Sequence, residues 1–200
     1  MARILVAHGF NAWPEKNWFP WLKKQYRPGI VSVPAMPKPT AARRDEWMQT
    51  LGEALGAPDG DTVLVGHSLG CITALRTLEA APQPWTLRGL VLVSGFYETV
   101  DGVPALDEFV AGPVDAGLII RSVPQRQVVA SDDDTDIVPE MTERLAALLE
   151  APLLTVPGAG HFSERTGVKE VPALLPVLDA MLGDDLAEAI APSRAVAQPV

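Results

Sequence analysis

Residues 62–80 read Thr-Val-Leu-Val-Gly-His-Ser-Leu-Gly-Cys-Ile-Thr-Ala-Leu-Arg-Thr-Leu-Glu-Ala. The first four residues are apolar or β-branched, as in a buried strand, and residues 69–80 carry a helical pattern with almost no loop between the two. The junction is Gly66-His67-Ser68-Leu69-Gly70, a Gly-x-Ser-x-Gly turn between a strand and a helix. Side chains at Gly66 and Gly70 would clash with the neighbouring strand and helix, and the serine backbone is held in a strained, left-handed-type conformation. Such an elbow lifts Oγ clear of the sheet and sets a helix N-terminus beneath it. A glycine-rich turn whose serine only caps a helix is the plainer alternative, and the strand and helix flanking the motif count against it.

Outward from this stretch, the same alternation continues. Short runs rich in Val, Ile and Leu at 3–7, 30–33, 90–93, 127–130 and 153–156 show little polar alternation, as strands covered on both faces should. Between them lie amphipathic segments. In 41–55, Trp47, Met48, Leu51 and Leu55 share a face, with Thr40 as the expected N-cap. Met141, Leu145, Leu148 and Leu149 repeat the spacing after Pro139, and Val171, Leu174, Leu175, Leu178, Met181 and Leu182 do so near the end. Strands alternating with helices predict a parallel sheet with right-handed crossovers and helices on both faces, with ligands at the carboxyl ends of the strands. Residues 98–117 lack a clear period and read as a small excursion over the sheet. A domain over 1–183 and a loosely ordered tail over 184–200 are expected.

The whole chain, 200 residues, fits one such domain. With 48% hydrophobic and 20% charged residues it has globular rather than disordered composition. Sixteen Lys and Arg stand against 25 Asp and Glu, a net charge of -9, which disfavours partnership with nucleic acid or with an anionic membrane. The single cysteine, Cys71, cannot form an internal disulfide, and with three histidines it is too little for a structural zinc site. No signal-peptide pattern and no long apolar span occur, so the reading is a cytoplasmic protein without membrane segments.

A serine hydroxyl is a weak nucleophile and needs a base, which in turn needs an orienting acid, in the chain order Ser, acid, His on this kind of fold. His161 is the one histidine that follows Ser68 at a distance, in Gly158-Ala159-Gly160-His161-Phe162, just past the run 153–156. His8 and His67 sit in the first loop and in the elbow, where packing roles are expected. The acid should follow the preceding strand, where Ser131-Asp132-Asp133-Asp134-Thr135-Asp136 offers four carboxylates. Two N–H donors are needed for the oxyanion: the amide of Leu69, next to the nucleophile, and that of Phe10 in the His8-Gly9-Phe10 turn after the first strand.

These motifs together, with the aromatic stretch Asn17-Trp18-Phe19-Pro20-Trp21-Leu22, resemble the α/β-hydrolase superfamily. Within it the chain looks like the small serine hydrolases that include retinoblastoma-binding protein nine and the YdeN-like bacterial hydrolases, up to about Leu182. The resemblance implies an acid at the second Asp of an Asp-Asp-Pro-aromatic-hydrophobic-Pro element. Here the element is one residue longer and lacks its first proline. Counting forward from Ser131 favours Asp134, whereas counting back from Pro139 points to Thr135 or its neighbours, so Asp133 and Asp136 stay open. It also implies a compact enzyme without a large lid; separately, no cofactor is expected.

The expectation is therefore an α/β fold: a doubly wound, mostly parallel six-stranded sheet in the order 2-1-3-4-5-6. Its activity would be metal-independent cleavage of small acyl esters by Ser68, His161 and Asp134, with Leu69 and Phe10 at the oxyanion. Trp13 and Phe162 are the expected walls of the substrate pocket, whereas Trp18, Phe19 and Trp21 fit better as packing of the first helix on the sheet. The alternatives are a peptidase or thioesterase using the same triad, or a protein-binding module that retains the fold. The expected partner is a small acyl substrate, and the expected state is a monomer or weak homodimer.

Overall fold

The apolar runs become six parallel strands: β1 (Arg3–Ala7), β2 (Val31–Ser32), β3 (Thr62–His67), β4 (Gly89–Val93), β5 (Arg126–Ser131) and β6 (Leu153–Val156). They lie in one sheet in the order β2-β1-β3-β4-β5-β6, in a computed structural model that describes residues 2–195. The direction of travel across the sheet reverses between β1 and β3, which makes that gap the expected ligand crevice.

Although the central strands are apolar throughout, side-chain parity still sorts them. Leu5, Leu64, Leu90 and Leu92 enter one core, whereas Ile4, Val6, Val63, Val65, Val91 and Val93 enter the other. The leucine face is covered by α2 (Arg44–Leu55), α3 (Leu69–Ala80) and α6 (Pro139–Leu148), the β-branched face by α1 (Phe19–Gln25) and α7 (Leu174–Leu182). Buried Trp47, Leu51 and Leu75 pack the first core, and Trp18, Phe19, Leu22 and Leu178 the second. Both edge strands depart from the two-sided burial expected of them: Ser32 of β2 is exposed, and β6 departs along its whole length. The β6 residues alternate between exposed and half-buried, and Leu153 stands out to solvent.

Helix α2 begins later than expected, and Thr40 does not cap it. Its N-cap is Arg43, without a side-chain cap. The Arg44 N–H is instead taken by the Glu108 carboxylate at 2.8 Å, a partner supplied by the excursion rather than by local sequence. That excursion folds into short helices at Pro104–Leu106, Asp107–Val110 (α4) and Ala116–Ser122 (α5). It is tied to α3 by the buried Arg76 guanidinium, which donates to the carbonyls of Phe109, Ala111, Gly112 and Pro113 and pairs with Glu79 at 2.9 Å. No large lid stands over the strand ends among the described residues.

Beyond Leu182 the chain turns through Gly183 into α8 (Leu186–Ala189) and α9 (Pro192–Ala195). Here the packed body extends past the boundary read at residue 183. Ile190 pairs antiparallel with Tyr26, the Arg27 N–H donates to Ala189 O at 2.7 Å, and Arg194 ion-pairs with Asp179. Burial of Ala189, Ile190 and Ala191 accompanies this docking. The last five positions of the expected tail, 196–200, lie outside the described residues. Among the described residues no helix is long and apolar enough to cross a membrane.

Candidate active site

Ser68 sits at the carboxyl end of β3 with φ 53° and ψ -121°, a conformation sparsely populated by residues other than glycine, and its N–H donates to Val93 O at 2.9 Å. The turn is as tight as the glycines required. A Cβ on Gly66 would lie 2.7 Å from Cys71 Cα in α3, and one on Gly70 would overlap the carbonyl of Ala7 at the end of β1. Gly9 is equally confined, since a Cβ there would meet Ser68 Cβ at 2.9 Å. The β1 loop therefore presses directly against the serine. Among the described residues no hydrogen bond occupies the Phe10 N–H in this loop, and Leu69 N–H is one of the α3 N-terminal amides without an intrahelical acceptor.

All three histidines have a tautomer set by their partners. His8 is buried. Its Nε2 accepts the Met36 N–H at 3.0 Å, so its proton is on Nδ1, facing Gly9 O at 2.9 Å. His67 is buried against Trp18 and Phe19 and donates Nε2–H to His161 O at 3.0 Å. Burial, together with the proximity of His161, holds the His67 imidazole down to about 3, so it remains neutral. Burial likewise lowers His8. Both have the packing roles read for them.

His161 lies in the loop after β6, and its Nδ1–H donates to Asp134 Oδ2 at 2.9 Å. Asp134 is nearly inaccessible. Its other oxygen accepts from the N–H groups of Asp136 at 2.9 Å and Ile137 at 3.1 Å. Burial alone would push this carboxyl up; the hydrogen bond and charge of His161, with the Ile137 N–H, outweigh it and hold the carboxyl below its ordinary value. Asp134 is thus ionised, and His161 keeps Nε2 free as a proton acceptor. The three neighbouring carboxylates go elsewhere. Asp132 and Asp133 accept backbone N–H groups of the histidine loop, from Gly158 at 2.8 Å and Gly160 at 2.7 Å, and Asp136 ion-pairs with Arg165.

Ser68, His161, Asn11 and Phe10 line a common cavity of about 650 Å³ at the carboxyl ends of the strands. One wall is apolar, from Phe10, Val100, Val103, Leu106 and Ile137; the rest carries Lys16, Asn17, Asp101 and the Asp136–Arg165 pair. The two expected wall residues are not there. Phe162 is 0% exposed and packs in the β-branched core, because its backbone φ of 48° turns the side chain inward one step after His161. Trp13 is 44% exposed outside the cavity and stacks under the Lys16 ammonium, 4.1 Å from the ring centroid. Trp18 and Phe19 are wholly buried, as packing residues.

The excursion residues Val100, Val103 and Leu106 escaped the sequence reading because their segment has no period. In the sequence Asn17 reads only as part of the aromatic stretch, with no role of its own. It sits at φ 53°, and its Oδ1 accepts the Glu164 N–H at 3.1 Å, joining the β1 loop to the histidine loop. Its one local signal is that Asn tolerates a positive φ better than most residues. Cys71, behind the elbow, is fully buried and donates S–H to Val93 O at 3.4 Å; burial pushes its thiol up, so it is inert. Among the described residues no three His, Cys, Asp or Glu converge as metal ligands would.

The chain matches the family model described as serine hydrolase over residues 4–180. It is 36% identical to YdeN of Bacillus subtilis (strain 168) over 178 residues, 88% of this chain and 94% of that one. It is 26% identical to the serine hydrolase RBBP9 of Rattus norvegicus over 189 residues, covering 90% and 95% of the two chains. The crystal structure of the ydeN gene product from B. subtilis superposes with a TM-score of 0.87 at 35% identity, over 92% of this chain and 100% of that one.

Proposed function

The chain belongs to the serine hydrolase family and is a hydrolase, and from that premise we propose that it cleaves small acyl esters through Ser68, His161 and Asp134. Ser68 Oγ attacks the ester carbonyl while His161 Nε2 takes its proton. Asp134 keeps the proton on Nδ1 and offsets the imidazolium charge that develops. The N–H groups of Leu69 and Phe10 receive the oxyanion, each worth roughly 3–4 kcal/mol in the transition state. The imidazolium then protonates the departing alkoxide, leaving an acyl-Ser68 ester. A water deprotonated by His161 attacks that ester, and Ser68 recovers its proton.

The observation that carries this reading is the hydrogen bond from His161 Nδ1 to the buried Asp134 carboxylate, in a loop that shares one cavity with Ser68. It frees the other imidazole nitrogen for base catalysis. The apolar wall of Val100, Val103, Leu106 and Ile137 suits a short acyl chain, and the polar remainder of the cavity suits a solvated leaving group.

The test is labelling with a fluorophosphonate probe, with intact mass to locate the adduct, followed by hydrolysis of p-nitrophenyl acyl esters beside aminoacyl arylamides. Labelling of the wild type that is lost in Ser68→Ala and in His161→Ala, with faster ester than arylamide turnover, is the expected result. Arylamide turnover that matches or exceeds ester turnover would replace the esterase by a peptidase. Absence of an adduct on folded wild type would refute the triad.

A further inference from the structure

Four consecutive residues, beginning with the last of β5, hold four consecutive residues after β6. Asp132 Oδ1 accepts the Gly158 N–H at 2.8 Å, Ser131 Oγ accepts the Ala159 N–H at 3.0 Å, Asp133 Oδ1 accepts the Gly160 N–H at 2.7 Å, and Asp134 Oδ2 accepts His161 Nδ1–H at 2.9 Å. Ser131 Oγ–H also donates to Asp133 Oδ1 at 2.6 Å, which aims both acceptors at the loop. We propose that Ser131, Asp132 and Asp133 are positioning residues that set the placement of the His161 imidazole, which makes the acidic run a clamp on the histidine loop rather than a solvated surplus. The proposal rests on the triad reading above, in which His161 is the base.

The loop needs such a clamp for a backbone reason. Gly158, Gly160 and Phe162 stand at φ 68°, 50° and 48°, three left-handed conformations in five residues. A loop bent in this way spends little of its own hydrogen bonding on itself. Its one internal backbone bond from the segment 158–162 is Phe162 N–H to Ala159 O at 3.0 Å. The remaining N–H groups before the histidine point at side chains of the β5 loop. The strand that precedes it, β6, has four residues and lies at the edge of the sheet, so it offers limited anchorage. Glycine takes a positive φ without strain but has more backbone freedom to lose than any other residue, so without its acceptors Gly160 would be free to leave φ 50° and His161 would move with it.

The chemistry of the clamp suits permanence. The Ser131 hydroxyl, then the Gly160 N–H, hold the Asp133 carboxyl below its ordinary value, so it stays a charged acceptor through neutral and mildly acidic pH. Charge-assisted acceptors of backbone N–H groups are short and directional, and the 2.6 and 2.7 Å separations fit that description. Asp133 and Asp132 are exposed on their outer sides and do not line the cavity. Their effect on turnover must therefore pass through the loop.

The experiment uses the full chain as wild type, Ser131→Ala, Asp133→Ala, Asp133→Asn and Asp132→Ala, with p-nitrophenyl acetate kinetics, fluorophosphonate labelling rates, thermal melting and the far-downfield proton resonance of His161 Nδ1–H. Misplacement of a base by a fraction of an ångström to an ångström costs rate, so Asp133→Ala and Ser131→Ala are expected to lower kcat roughly 10–100-fold with KM within about twofold. Asp133→Asn retains an oxygen for the Gly160 N–H and is expected to recover kcat to within about fivefold of wild type, and Asp132→Ala, furthest from His161, to lose the least. The Nδ1–H resonance should persist in Asp133→Asn and broaden or vanish in Asp133→Ala. Retention of kcat within about twofold in both alanine variants overturns the proposal, as does a loss confined to KM, or an asparagine variant as impaired as the alanine. Failure of wild type to label at Ser68 refutes the triad reading instead, and the resonance still decides the clamp. Should Asp133→Ala fail to fold, Ser131→Ala carries the same comparison.

Discussion

The imidazole of His67 donates its Nε2–H to the backbone carbonyl of His161 at 3.0 Å, so the residue before Ser68 holds the loop that carries His161. The rings are 5.2 Å apart between centroids. A proton added to His67 would be placed in an apolar layer next to a second histidine. This arrangement makes the elbow and the histidine loop one unit and keeps His67 neutral.

A pH dependence of stability follows. The His67 value is lowered from 6.5 to about 3 in the folded chain, so the unfolded chain binds more protons in that window. Stability is complete above about pH 6.5 and falls toward pH 3 by up to ~1.4 kcal/mol per pH unit from this group, with His8 acting in the same direction. Urea unfolding at a series of pH values should give this slope. His67→Gln should flatten it, and an unchanged slope would remove His67 as its source.

Asp134→Asn keeps the shape of the side chain but can present an amide N–H to His161 and stabilise the wrong tautomer. kcat for acyl esters is expected to fall by roughly 10³–10⁴-fold. Asp136→Asn removes an exposed ion pair with Arg165 and should have a far smaller effect on kcat. Steady-state kinetics on the two variants discriminate them; equal losses would mean that the acid has been misassigned.

Gly70→Ala cannot be absorbed by a side-chain movement, because the new methyl meets the main chain of Ala7, with the carbonyl carbon at 2.6 Å. Relief requires β1 and α3 to separate, in the best-buried part of the sheet. A loss of more than about 3 kcal/mol is expected. Chemical denaturation or soluble yield beside wild type measures it, and a stable, active Gly70→Ala would contradict the close approach described.

Arg76→Met removes the five-partner guanidinium that binds the excursion to α3. Four carbonyls lose their donor, a cost of roughly 3 kcal/mol in global stability. Because Val100, Val103 and Leu106 form the apolar wall of the cavity, KM for acyl esters should rise more than kcat falls. Limited proteolysis should cut between residues 98 and 117 faster than in wild type; cleavage at wild-type rate would show that Arg76 does not restrain the segment.

Sequence alone determined what neighbours along the chain decide. The elbow at 66–70 is legible because the strand, turn and helix that confine Ser68 are contiguous, and the clash that demands each glycine is with backbone. The two-sided burial of β1, β3 and β4 is written in their unbroken apolar runs, and with it the parallel sheet. Tertiary structure alone decided among the candidates that the sequence leaves open across long separations. Of the four carboxylates within five residues, counting along the chain favours Asp134 but leaves Asp133 and Asp136 open. Asp134 faces His161 because the loop after β5 folds its oxygen onto the Asp136 and Ile137 amides, and its neighbours face Gly158 and Gly160 instead. Phe162 and Trp13 are absent from the cavity for reasons of backbone path: a positive φ turns one into the core, and the other lies exposed at the surface beside the Lys16 ammonium. Side-chain direction at such places depends on backbone angles that only the packed loops impose.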